Sequence, residues 1–170
     1  PLNGVATRLE TARQSPTPEN HQALDYEMRL LGCVFKNSLR LQARDIATLL
    51  GKNTGSPAVQ DLAQIDALLT EFQVQVKRVS GRFRALRPHF QDPRITAGVA
   101  ATFAFTDEYV SLLIEERAHE ILQLIQDRPE DLFVRSSAVL IALIKEEGAY
   151  RRTMGYPSLV DEGHENETLV

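Results

Sequence analysis

Eight apolar residues, Leu62, Ile65, Leu69, Phe72, Val76, Val79, Phe83 and Leu86, follow one another at alternating intervals of three and four without a break. Only a helix of about 25 residues places such a row on one face, and its period is that of a seam packed against other helices. The row makes the chain all-α. Residues 73–77, Gln-Val-Gln-Val-Lys, alternate like a strand, but the longer pattern runs through them unbroken. Gly81 weakens this helix locally, and Pro88 ends it.

The rest of the chain follows the same grammar. Thr17-Pro18-Glu19 offers a capping hydroxyl, a proline suited to a first helical turn and a carboxylate for the positive end of the dipole. From Leu24 the apolar residues then step through Met28, Leu31, Phe35, Leu39, Ile46 and Leu49, with Gln42 as a polar intruder, which predicts a helix over residues 18–50. Gly51 stops it, residues 52–56 form a loop, and Ser56-Pro57, with Asp61 close behind, opens the seam helix. Asp92-Pro93 opens a third helix that runs to Gln126 with a break near Thr106-Asp107. Pro129-Glu-Asp131 opens a fourth, running to about Arg152 with Leu132, Phe133, Leu140, Leu143 and Ile144 on its apolar side, and Gly155-Tyr-Pro157 closes it. Helices of this length joined by short loops predict an up-down-up-down antiparallel four-helix bundle. The division is an N-terminal extension over residues 1–16, the bundle over residues 17–152, and a flexible acidic tail over residues 153–170.

The net charge of −4 is unevenly spread: residues 1–94 hold 13 Lys+Arg against 9 Asp+Glu, and residues 95–170 hold 6 against 14. Basic helices packed beside acidic ones are the expectation. The single cysteine, Cys33, lies among Leu31, Val34 and Phe35 and reads as a buried, inert thiol in a reducing compartment. A cytoplasmic location, or the cytosolic face of a larger protein, follows. The longest weakly polar runs, residues 95–105 and 134–144, fall short of the roughly 20 residues of a membrane span, so no transmembrane segment is expected. The chain opens on Pro1, which reads as processing or as excision from a longer, multi-domain or membrane-associated protein.

Candidate sites are few. Glu116-x-x-His119 has the local spacing of a carboxylate-bridged metal site in a helical bundle. At about 100° per residue, however, it projects opposite the apolar side marked by Val110, Leu113, Ile114, Ala118, Ile121 and Ile125. His21, His89 and His164 lack a glutamate three residues before them, and no metal or other cofactor is expected. Lys77, Arg78, Arg82, Arg84 and Arg87 form a basic segment without an acid, a candidate anion-binding surface for nucleic acid or anionic lipid. These cations flank the seam on both sides, which favours pairing with the acidic later helices.

Arg84 and Arg82 stand five and seven residues before His89, a spacing similar to that of one class of small helical ribonucleases. That resemblance implies an enzyme centred on His89, but 15 arginines and 4 histidines yield such spacings by chance. A metal-dependent or ribonuclease-like enzyme therefore ranks last. Asn166-Glu-Thr168 fits a glycosylation acceptor, which has no use without secretion. The final Glu-Thr-Leu-Val, with Thr168 and Val170 at the key positions, resembles ligands of domains that capture a C-terminal strand. The leading expectation is a non-catalytic helical interaction or regulatory module. It would meet a protein partner or a second copy through helix faces, the row from Leu62 to Leu86 serving as internal packing or as an oligomer seam.

Overall fold

The computed structural model describes residues 1–51, 59–126 and 131–156, and among these the only regular structure is helical. The elements are α1 (Leu2–Gln14), α2 (Pro18–Gly51), α3 (Val59–Arg84), the single turn α4 (Arg87–Phe90), α5 (Ala97–Ile125) and α6 (Asp131–Met154). The all-α class holds, but five of these helices exceed one turn where four were expected. The additional helix is α1, in the segment read as an extension. Its inward row is only Val5, Leu9 and Ala12, too short to stand out as a period, yet all three are buried against Leu24, Met28 and Leu31 of α2. Residues 52–58, with the expected loop and Ser56-Pro57, lie outside the described residues, as do Pro129, Glu130 and the tail from Pro157 with Asn166, Thr168 and Val170.

Two apolar clusters hold the helices together. The larger joins Phe35, Leu39, Ala43, Ile46 and Leu50 of α2 to Ile65, Leu69, Phe72 and Val76 of α3 and to the inner rows of α5 and α6. The smaller closes one end, where Phe103 of α5 stacks on Phe83 (4.8 Å between ring centroids) and on Phe90 of α4 (4.4 Å), with α1 laid across. Each fully buried Leu, Ile or Phe contributes on the order of 2 kcal/mol from removal of apolar area alone. The seam is thus satisfied inside the chain: Ile65, Leu69, Phe72, Val76 and Phe83 are buried, and Leu62, Val79 and Leu86 pack partly buried against the same clusters. Ala43, not Gln42 beside it, fills the gap in the α2 row.

Helix α2 packs extensively against α5, and the two run in the same direction. Thr102 Oγ1 donates to Asp25 at 2.5 Å, and the Tyr109 ring lies against Gly32, where a Cβ would come within 3.3 Å; both pairs are 77 residues apart (102 − 25 and 109 − 32). Helix α6 returns along α5 in the opposite direction, pairing Tyr150 with Asp107 and Glu147 with Ser111. Since Asp107 and Glu108 are the only charges among residues 97–114, α5 is long and apolar enough to cross a membrane, contrary to the expectation that no segment is. Half of that window is buried inside the fold, where α5 is the central helix.

Helix ends differ from expectation in instructive ways. Thr96, not Asp92, caps α5, its hydroxyl accepting from the Val99 amide (3.4 Å); Asp92 instead accepts from the Arg94 amide and from the Arg13 and Arg94 side chains. The helix passes through Thr106-Asp107 without a break because both face inward and are buried. Gly155, at φ 70, ends α6 in a left-handed turn in which the Gly155 amide donates to the Arg152 carbonyl and the Tyr156 amide to that of Arg151. That turn folds Tyr156 back onto the protein.

Candidate functional site

The conspicuous polar feature is a buried ionic junction where the end of α3, the middle of α5 and the end of α6 meet. Asp107 Oδ2, on a side chain with no exposure, accepts from Arg87 (2.5 Å), Tyr150 (2.5 Å) and Tyr156 (2.9 Å). Arg84 lies with its guanidinium carbon 3.7 Å from the centroid of the Tyr150 ring and donates to Glu147 (2.5 Å), which also accepts from Ser111 (2.7 Å). Arg151 completes the chain, donating to Ser111 (3.1 Å) and to Glu115. Three arginines thus face three carboxylates inside the protein, the balance that buried charge requires.

The chemistry of the junction is that of a clasp. Burial pushes the Tyr156 hydroxyl up to about 12, and the Asp107 carboxylate it faces pushes the same way; Tyr150 is raised by the same two causes. Both phenols therefore stay protonated donors at neutral pH rather than bases. The carboxylates are occupied by guanidinium groups. The Glu108 carboxyl, next to Asp107, is held up by burial despite the lowering effect of Arg151.

Sequence reasoning missed this junction because it read Thr106-Asp107 as the place of a break in the helix. The usable sign was the position of Asp107 in the inward row Phe103, Asp107, Val110, Ile114, where a carboxylate demands a partner.

The basic segment is divided among several surroundings rather than gathered on one surface. Arg84 and Arg87 belong to the junction, which joins the basic first half to the acidic second half. Arg82 donates to Asn3 of α1 (3.0 Å). Lys77 borders a groove between α3 and α6 with Arg135 and Glu146, and Arg78 borders a different groove between α3 and α2. His89, Glu116 and His119 are exposed, and among the described residues no three His, Cys, Asp or Glu side chains are grouped to hold a metal ion. Cys33 corrects the expectation of a buried thiol: Leu31 and Phe35 face inward, and the intervening Cys33 and Val34 point outward.

That outward side of α2 is the second feature. Of eight large apolar side chains that are exposed among the described residues, Tyr26, Leu30, Val34 and Leu41 form a stripe along α2 at spacings of four, four and seven. Val74 borders it from α3 across a groove shared with Leu41. Phe105, on α5, stacks its ring on Tyr109. Five of the eight therefore lie on or beside one helix face, and Phe105, Val134 and Ile141 belong to α5 and α6. Large contiguous exposed apolar surfaces are a general feature of interaction sites. Compared with known proteins, the chain matches no family model, no curated protein and no solved structure.

Proposed function

We propose that this chain is a non-catalytic interaction module that seats a partner protein on the outer face of α2. In this reading α2, α3, α5 and α6 act as a bundle of alternating direction, with α1 and α4 closing one end. The exposed Cys33 thiol suits a reducing, cytoplasmic setting. The reading rests on the concentration of exposed apolar side chains around α2, from Tyr26 to Leu41, while the ionisable groups of the interior are engaged with one another. Exposure of this kind is unfavourable in water and is relieved by burial against another surface.

The single cysteine sits on this face and makes the test direct. A photo-crosslinker on Cys33 should capture a protein from extracts of the source cells, or a second copy of the chain. Val34→Asp with Leu41→Asp should abolish capture while leaving the circular dichroism spectrum unchanged. The same label moved to exposed α6, in a Cys33→Ser, Ala138→Cys chain, should capture nothing comparable. Equal capture from both positions, or capture that survives the double substitution, would sink the reading.

A further inference from the structure

We infer that the partner is an acidic amphipathic helix, seated in the groove between α2 and α5 with its carboxylates on Arg40 and Arg44. This rests on the docking reading above and adds the chemistry of the occupant. Beside the apolar stripe, α2 carries a second row, Arg29, Cys33, Lys36, Arg40 and Arg44, at spacings of four, three, four and four. Arg29 is neutralised by Asp25 (2.7 Å). Lys36, Arg40 and Arg44 have no carboxylate within ion-pair distance among the described residues; Arg8, Arg78, Arg82, Arg135 and Arg152 also lack one, but these three follow one another along a single row of α2.

The groove concentrates this unbalanced charge. It encloses about 660 Å³ and is lined by Asn37, Arg40, Leu41, Arg44, Arg117 and Glu120, with Ala47 at one end. Its one carboxylate, Glu120, is taken by Arg117 (2.7 Å), whose Nε is buried without a hydrogen-bond partner. Two arginines four residues apart on a helix stand about one turn, some 6 Å, apart, which matches two carboxylates at the same spacing on a helix laid alongside. The guanidinium fork suits carboxylate recognition, and Leu41 with Val34 supplies an apolar strip for the partner's other side. An anionic membrane fits less well, because a furrow between two helices does not meet a flat surface.

The test uses the full chain and a displayed library of helical peptides about 20 residues long, with leucine fixed on one stripe and the flanking positions randomised. Selection should enrich glutamate and aspartate at two positions four apart. Affinity of the selected peptides should fall about tenfold or more in the Arg40→Glu, Arg44→Glu chain, and should weaken from about 50 to about 500 mM salt. Peptides without acidic preference, lost in the Val34→Asp, Leu41→Asp chain but not in the arginine variant, would overturn the acidic partner and leave the docking face standing. Selected peptides indifferent to both variants would overturn both. Sedimentation with vesicles of about 30% phosphatidylserine in phosphatidylcholine, lost in the arginine variant, would replace the acidic helix with a lipid surface.

Discussion

Asp107 sits in a stripe of apolar side chains at the middle of the central helix, where it meets two arginines and two phenols. Removing one member of such a buried set leaves the others uncompensated, which costs more than the pairing itself returns. Asp107→Ala should therefore lower stability by about 3–5 kcal/mol in urea unfolding, with the unpaired Arg87 as the cause. A loss under about 1 kcal/mol would mean that water reaches the junction and replaces the carboxylate. The phenols give the junction a pH signature. Tyr156 titrates near 12 in the folded protein and near its ordinary 10.0 when unfolded, so between these values the unfolded chain holds fewer protons. Stability is then fully present below about pH 10 and falls as pH rises toward 12. Tyr156→Phe should flatten that alkaline decline in thermal melts, and an unchanged slope would count against the hydrogen bond to Asp107.

Elements were legible from the sequence to the degree that their signals were long. The rows of α2 and α3 repeat over many turns; α2 ends within a residue of the expected stop, whereas α3 ends at Arg84, short of Leu86 and of Pro88, which lies inside α4 rather than ending α3. Short signals were ambiguous. Asp92-Pro93 and Thr96 both offer a cap, and the choice fell to Thr96 because Asp92 is drawn to Arg13 and Arg94. The three inward residues of α1 carry too little periodicity to distinguish a packed helix from an extension, since what holds them is the end of the core formed by α2, α3 and α5. Leu9, 3% exposed within that end, tests whether α1 belongs to the cooperative unit. Leu9→Ala should reduce stability by about 2–5 kcal/mol in a single unfolding transition. An unchanged midpoint, or a separate early transition for α1, would make it an appendage.

At the scale of the molecule, the arrangement separates a filled side from an unfilled one. Sequence periodicity could not make this separation, because it reports that a face is apolar and not which surface covers it. The row from Leu62 to Leu86 invited an intermolecular reading, yet α2, α5 and α6 cover it within the chain; the shorter stripe from Tyr26 to Leu41 drew no notice and stands open. The difference between the two faces is measurable. Leu69 and Val76 are 1% and 0% exposed, so Leu69→Asp with Val76→Asp places two carboxylates in the larger cluster, and burial of an unpaired charge is not compatible with that core. The double variant should lose its cooperative thermal transition and its helical circular dichroism. Folded monomers from a previously larger assembly would instead place that row between copies. Val34 and Leu41 are 42% and 57% exposed, and the same chemistry there leaves the carboxylates in water, so that chain should melt within a few degrees of the parent, a shift of about 1 kcal/mol or less. Opposite outcomes from two matched pairs of aspartates, one unfolding the chain and one leaving it intact, separate the face that builds the domain from the face left free to meet a partner.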